Sequence, residues 1–291
     1  QAAEPFLLFR LGRIRWPLCG LVGMLLVLLA GVPLLGLVWK AGLGGSPEAW
    51  SAARLQQLLH STLEGKWRLL IENQLVALLA GAIAAALALV ACWLAAESSW
   101  FQAATLVLAA VAWTVPGPVV GIGLKDAINA LLDVEEAIVG GLGLSALQPP
   151  LRLALWDGPS PLPVLWVSVI RYFPFALAVL WPAVRLLPVE QREAARLDGA
   201  RPWDELRRVT FPLTRTAFLR AALAVAVLSL GELSAGKLVE TPGWTTLAHV
   251  IFEQMHRGVP ADVAGLCLVL LVQIALGGAL FAALRRRTQV E

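Results

Sequence analysis

The sequence is poor in charge for its length. Only 15% of its 291 residues are charged, whereas soluble domains carry about 25%. The net charge of +3 is also too small to indicate a nucleic-acid partner. We therefore expect a membrane protein that contacts lipid and does not bind nucleic acid.

Cysteine and histidine are scarce as well, with three of each. Cys19, Cys92 and Cys267 lie in separate apolar stretches and their number is odd, which favours free thiols in helices over a disulfide framework. The histidines are too widely separated to form a set of metal ligands. The HExxH and GxSxG signatures, a pair of intramembrane aspartates and a nucleotide-binding domain are missing from the sequence. We predict no metal site, no cofactor bound by this chain and no enzymatic activity in it.

Long apolar runs stand where charge is missing. Hydrophobic residues make up 58% of the chain, and its mean hydropathy is +0.75. A helix needs about 20 apolar residues to cross the hydrocarbon core of a bilayer. The stretches that meet this requirement are Pro17–Trp39, Asn73–Ala96, Ala103–Leu124, Leu162–Val184, Ala217–Gly236 and Asp262–Leu284. The predicted fold is all-α, with an N-terminal cytoplasmic segment at 1–16 and a domain of six transmembrane helices at 17–291.

Arginines cluster at 10–15, at 185–215 and at 285–287. An even number of predicted spans separates these segments, so all of them lie on one side of the membrane. Basic loops face the cytoplasm, and the loops on the opposite side are mixed or acidic. Both termini are therefore predicted to be cytoplasmic. The segment Glu48–His60, on the outer side, has apolar residues along one helical face and is expected to lie at the membrane interface.

Three features inside the spans indicate a lined pathway. Pro116 and Gly117, in a Pro-Gly-Pro sequence, interrupt span three, and non-helical backbone at membrane depth lines a cavity or is covered by protein. Arg171 lies in span four, where a charge faces a cavity or a partner; it contacts either the substrate or a structural partner. Glu232 ends span five and either borders the pathway or faces water or protein.

A charged stretch interrupts the apolar sequence at 190–212, EQREAARLDGARPWDELRRVTFP. Pro188 and Pro202 can each begin a helix, because the missing N–H is not needed there. Gly199 can adopt the left-handed conformation that ends the first helix, and Pro212 is expected to stop the second before span five. The predicted structure is a cytoplasmic helix–turn–helix with a smooth alanine patch and charged residues at its rim.

The residue types and spacing of this stretch resemble the EAA loop of permease subunits in bacterial binding-protein-dependent ABC importers. The family pattern is EAA-x3-G-x9-I-x-L-P. The residues that match it are Glu193, Ala194, Ala195, Gly199, Val209, Phe211 and Pro212. Val209 replaces the isoleucine and Phe211 the leucine, and both substitutions remain apolar. The resemblance covers about 70–285, with the EAA loop at 188–212, and looks closest to the ferric-iron, thiamine and aminoethylphosphonate branch.

The resemblance implies the type I importer fold in the bacterial inner membrane. It implies a second permease unit (a second copy, a homologue or a fused half), ATPase subunits that use ATP and contact the EAA residues, and a periplasmic or extracellular substrate-binding protein. Many members of the branch carry two six-span units in one chain, which fits a sequence that begins with Gln1.

From this resemblance alone, ferric iron is the first choice of substrate, with thiamine, phosphonate or polyamine as alternatives. An ion-coupled secondary transporter is the alternative from another class. Such a protein is expected to show an internal repeat and carboxylates deep in its spans.

Overall fold

The computed structural model describes residues 12–43, 49–142 and 149–287, and within them every regular element is helical. The α-helices are α1 (Arg15–Leu26), α2 (Val32–Leu43), α3 (Ala52–Ala95), α4 (Ser99–Thr114), α5 (Gly117–Gly141), α6 (Pro150–Arg152), α7 (Leu162–Arg185), α8 (Val189–Leu197), α9 (Pro202–Glu205), α10 (Phe211–Leu230), α11 (Gly236–Val239), α12 (Leu247–His256) and α13 (Pro260–Arg287). A 3-10 turn occupies Gly12–Ile14, and π-helical turns occupy Val27–Gly31, Leu153–Asp157 and Leu206–Thr210. Most of the predicted N-terminal segment, 1–11, lies outside the described residues.

The predicted membrane spans are found in these helices. Among the described residues, five helical stretches are long and apolar enough to cross a membrane, and α4 with α5 adds a sixth if the bent pair is taken as one span. The all-α, six-span prediction is confirmed in this sense. Span five was placed too far along the chain, because α10 ends at Leu230 and the residues up to Ala235 form turns.

Span two is much longer than predicted. Helix α3 runs without interruption for 44 residues, from Ala52 to Ala95, which corresponds to about 66 Å at 1.5 Å per residue. Of the segment predicted to lie at the membrane interface, 48–60, residues 52–60 form the first turns of α3 and residue 48 lies outside the described residues. The reason is that the sequence between 52 and 95 contains no proline, and its two glycines lie in helix interiors where they are tolerated.

Span three is broken where the sequence predicted. Helix α4 ends at Thr114, Pro116 adopts an extended conformation (φ −61°, ψ 144°), and α5 begins at Gly117 after a bend of 110°. The second half differs from the prediction, because α5 does not end at Leu124 but continues to Gly141. Its sequence contains no helix breaker in this interval, and its charged side chains are exposed except that of Glu135, which is buried and accepts the N–H groups of Leu151 and Arg152.

Two of the π-helical turns end two residues before a proline, namely Pro33 in α2 and Pro212 in α10. A proline inside a helix removes an N–H and its ring clashes with the carbonyl four residues earlier. The widened turn relieves that clash. The prediction that Pro212 stops the helix is therefore wrong, and a single helical stretch continues from Pro202 to Leu230.

The core lies where α3 packs against α7 and α10. The buried face of α3 is lined with small residues at helical spacing, including Ala77, Ala80, Gly81, Ala84 and Ala88. Small residues let helix backbones approach closely, which is how membrane helices gain packing energy without a hydrophobic driving force from lipid. A Cβ atom on Gly81 would lie 2.1 Å from the carbonyl oxygen of Ala222 in α10.

We predict that Gly81→Ala destabilises the protein, because the backbone of α10 cannot yield as a side chain can. Overpacking of this kind costs about 1–3 kcal/mol. Gly65→Ala is the matched control on the same helix, since no described heavy atom lies within 4 Å of the added Cβ and alanine favours the helix by up to about 1 kcal/mol. Thermal unfolding in detergent should show a lower midpoint for Gly81→Ala and an unchanged or higher one for Gly65→Ala. Equal midpoints would mean that α3 and α10 do not pack this closely.

Candidate functional site

The predicted site residues fall into two groups. One group forms the segment between α7 and α10, which corresponds to the EAA loop, and the other gathers where α5 begins, beside α7 and the turn after α10.

The EAA loop is closed by a left-handed glycine. Gly199 follows α8 with φ +81°. Its N–H donates to the carbonyl of Arg196 and the N–H of Ala200 to that of Ala195, both at 3.0 Å. This pair of hydrogen bonds is the Schellman termination of a helix, in which glycine is preferred because a Cβ is strained at positive φ. The chain then reverses, and α9 begins at Pro202 as the sequence predicts.

The surface of α8 is open. Glu193 and Ala194 are exposed and Ala195 is half-buried. Leu197, on the same helix, is 89% exposed, and Leu186, just before it, is 81% exposed. An apolar side chain this exposed in a polar loop leaves contact surface for another molecule.

The remaining EAA residues lie elsewhere in the loop. Val209 belongs to the π-helical turn, and Phe211 and Pro212 begin α10. Phe211 packs edge-on against Phe218 of the same helix at 5.4 Å between ring centroids. These residues shape the entry into α10 and are not part of the α8 helix.

A charge cluster that the sequence did not predict holds the loop from inside. Glu205 is 1% exposed and accepts hydrogen bonds from Nε of Arg192 at 2.6 Å and Nε of Arg196 at 2.9 Å. The indole N–H of Trp93 donates to the same carboxylate at 3.4 Å. Both guanidinium groups also bind Glu97, which follows α3. Arg192 and Arg196 therefore bind carboxylates of this chain.

The second group centres on Glu232, whose side chain is 3% exposed. Its Oε2 pairs with Nε of Arg171 at 2.7 Å and accepts the hydroxyl of Tyr172 at 2.5 Å. Its Oε1 accepts the hydroxyl of Ser234 and the N–H of Ala235, each at 2.8 Å. Both oxygens are thus supplied with donors, as a carboxylate this deeply buried requires.

Gly117 completes this group. A Cβ on Gly117 would lie 2.0 Å from Nη1 of Arg171 and 2.1 Å from the hydroxyl of Ser234. The absence of a side chain lets the guanidinium pack against the elbow between α4 and α5. Pro116 lies beside it at the elbow and is exposed.

The structure thus brings together Gly117, Arg171 and Glu232, which are far apart in the sequence. It also pairs Arg171 with a carboxylate, in agreement with one of the two interpretations of that residue. Tyr172 and Ser234 were missed, and so was Glu205 of the other group. The one available signal was that opposite charges in apolar surroundings need partners; nothing in the spacing pointed to these polar neighbours.

This chain belongs to the family of binding-protein-dependent transport system inner membrane components, which matches residues 77–290. That family, together with the apolar helices, makes it a multi-pass inner-membrane protein.

Curated relatives match a smaller part of this chain than the family does. A Salmonella typhimurium protein named for 2-aminoethylphosphonate transport, PhnV, is 34% identical over 42% of this chain and 48% of its own length. The putrescine transport system permease protein PotI of Escherichia coli is 27% identical over 54% of this chain and 56% of its own length. The chain therefore matches about half the length of these relatives.

The fold is also similar to that of a solved structure. A chain of a bacterial alginate ABC transporter, crystallised in complex with an alginate pentasaccharide-bound periplasmic protein, superimposes with a TM-score of 0.55. The similarity covers 94% of both chains at 14% identity. It supports the fold alone.

We predict that Arg171 and Glu232 are energetically coupled. Removing one partner of a buried ion pair leaves an unpaired charge and costs about 3 kcal/mol, whereas replacing both with apolar residues is often neutral. Arg171→Leu and Glu232→Leu should each lower the thermal midpoint in detergent, and the double variant should be more stable than either single variant. Additive effects in this cycle would show that the pair is not formed.

Proposed function

We propose that this chain is the permease subunit of an ATP-driven ABC importer and that the EAA loop couples it to ATPase subunits. The observation that carries the proposal is the geometry of α8. It is a short helix that stands on the surface and is closed by Gly199, and it presents Ala194 beside the exposed Leu197. Such a projection fits a groove in a partner protein.

ATP hydrolysis is assigned to the partner subunits. The small side chains of Ala194 and Ala195 permit close approach, and Leu197 supplies apolar area that becomes buried on docking. Glu193, exposed at the edge of α8, supplies a charged hydrogen bond there, worth about 1.5–3 kcal/mol when well formed.

The solute pathway is proposed to run beside the elbow of span three, with Pro116, Gly117, Arg171 and Glu232 along it. A second permease unit forms the other wall, and a substrate-binding protein delivers solute from outside. In support, the helical stretch Gly12–Leu43 has no buried residue in its most apolar window, so it leaves a large surface for lipid or for a second unit.

The substrate is proposed to be a small charged organic solute of the phosphonate or polyamine class. PhnV and PotI are named for 2-aminoethylphosphonate and putrescine. Ferric iron has no support from these names. The family match disfavours the alternative of an ion-coupled secondary transporter.

The orientation is proposed to be the one that the arginines predict, with the EAA loop in the cytoplasm. In a variant without native cysteines, Arg201→Cys should resist a membrane-impermeant thiol reagent added to intact cells. Glu136→Cys on α5 should react, because it lies on the predicted outer side; both positions are exposed. Labelling of Arg201→Cys from outside would show that the topology is opposite to the proposed one.

We predict that Gly199→Val leaves the protein in the membrane but weakens ATPase docking and abolishes transport. A β-branched residue is strained at φ +81° and would reshape the turn that ends α8. Gly258→Val is the matched control, because Gly258 has φ +73° and, like Gly199, no described heavy atom within 4 Å of an added Cβ. It follows α12, away from the EAA loop.

Both variants should be measured for co-purification of the ATPase and for solute uptake. We expect loss of both in Gly199→Val and retention of ATPase co-purification in Gly258→Val. If Gly199→Val behaves like the wild type, the loop would serve only to set the membrane topology through its arginines, and the main support for the proposed function would be lost.

A further inference from the structure

The charge cluster beneath the EAA loop is a closed ring of four side chains. Nε of Arg192 and Nε of Arg196 bind the two oxygens of Glu205 at 2.6 Å and 2.9 Å. The terminal nitrogens of the same guanidinium groups bind Glu97, that of Arg192 at 2.8 Å. Each arginine therefore bridges both carboxylates, and the formal charges of the ring cancel.

The ring joins three separate parts of the chain. Glu97 lies in the turn after α3, the arginines lie on α8, and Glu205 ends α9. Trp93, in the last turns of α3, adds a hydrogen bond to Glu205. The ring thus ties α8 to the inner end of span two as well as to the helix that leads into span five.

Other attachments of α8 are weak. None of its nine residues, all of which the structure describes, is buried. Its ends are a proline turn at Pro188 and the glycine turn at Gly199, and its other contacts are with α9 and the π-helical turn Leu206–Thr210. The orientation of α8 therefore depends on the ring, and Glu205, which is the most buried member, depends on both arginines for its charge.

Helix α3, to which the ring attaches α8, is long and rigid. Helix α3 is continuous from Ala52 to Ala95, and Gly81 places it in direct contact with the backbone of α10. Near its first turns it packs against α13, where a Cβ on Gly265 would lie 3.1 Å from the hydroxyl of Thr62. Helix α3 therefore connects the turn that holds Glu97 with the contacts to α10 and α13.

We propose that the ring of Glu97, Arg192, Arg196 and Glu205 is a clamp that transfers movement of α8 to α3, with Glu205 as its central positioning residue. The proposal rests on the proposed function, in which ATPase subunits move α8. It adds that span two receives this movement through charge pairing, in parallel with the covalent route from α9 into α10.

The first test concerns the chain alone. Glu205→Gln removes the charge and keeps the shape, so the arginines lose their buried partner. Hydrogen exchange of backbone amides at 189–197, measured in nanodiscs, should become at least about tenfold faster. Asp204→Asn is the matched control, since Asp204 is an adjacent, partly exposed carboxylate that pairs with Arg208 at 3.7 Å, outside the ring. Unchanged exchange in Glu205→Gln would overturn the clamp.

The second test uses the complex with the ATPase that co-purifies with the wild-type chain. Exchange is compared with and without ATP plus vanadate, which requires no knowledge of the solute. In the wild type we expect nucleotide-dependent changes in both α3 and α10. In Glu205→Gln the change in α10 should persist while that in α3 falls at least about fivefold. Equal loss in both helices, or loss of ATPase binding, would assign Glu205 a general structural role and overturn the proposal.

A rescue experiment distinguishes a positioning role of Glu205 from a role in folding. In the Glu205→Gln background, with Cys19, Cys92 and Cys267 replaced by alanine, Glu97→Cys and Arg196→Cys are joined by a short, reducible bis-thiol linker. The linker should restore the response of α3, and reduction should abolish it again in the same sample. Failure of a formed linker to restore the response would count against the clamp.

If the wild-type complex shows no nucleotide-dependent change in any helix, the proposed function fails. The exchange of α8 still decides whether the ring holds the loop.

Discussion

Pairing of buried charge is the constraint on which this structure depends. The two most deeply buried carboxylates of the described residues are Glu205 and Glu232, at 1% and 4% exposure. An isolated charge in such surroundings is prohibitively costly, so each needs a cationic partner and further hydrogen-bond donors. Glu232 is matched by Arg171 and Glu205 by Arg192 and Arg196. Each of these pairings joins chain segments that the sequence separates, and so fixes how the helices around it are arranged.

The two carboxylates mark opposite ends of one helical stretch. Glu205 lies near the start of the helix that runs from Pro202 to Leu230, and Glu232 lies just beyond its end. Glu232 follows Glu205 by 27 positions, which corresponds to about 40 Å of helix, close to the thickness of a bilayer with its headgroups. The interval between them packs against the small residues of α3, and in its middle Nη2 of Arg220 donates to the carbonyl of Leu284 in α13 at 2.9 Å. The proposed coupling surface and the proposed pathway are therefore connected by a single rigid element.

Interruptions of the helices have specific local causes. The turn before Pro212 widens into a π-helix and lets the chain continue, whereas Pro116 is followed at once by Gly117 and Pro118 and the chain bends by 110°. The difference matters for the site, because a straight continuation of span three would carry Gly117 away from Arg171. The bend brings an open backbone position against the guanidinium, and only glycine leaves room for it there.

The sequence by itself determined the features that depend on local chemistry. The apolar runs predicted the helices, the Pro-Gly-Pro sequence predicted the break in span three, and Gly199 predicted the left-handed turn after α8. Tertiary structure decided the features that depend on distant neighbours. The passage of the helix through Pro212 and the end of α10 at Leu230 differ from the sequence pattern because packing and widened turns override local preferences. The partners of Glu205 and Glu232 were also decided by the tertiary structure. A buried charge pairs with an opposite charge that the folded chain places nearby, and the spacing of residues in the sequence does not predict which one that is.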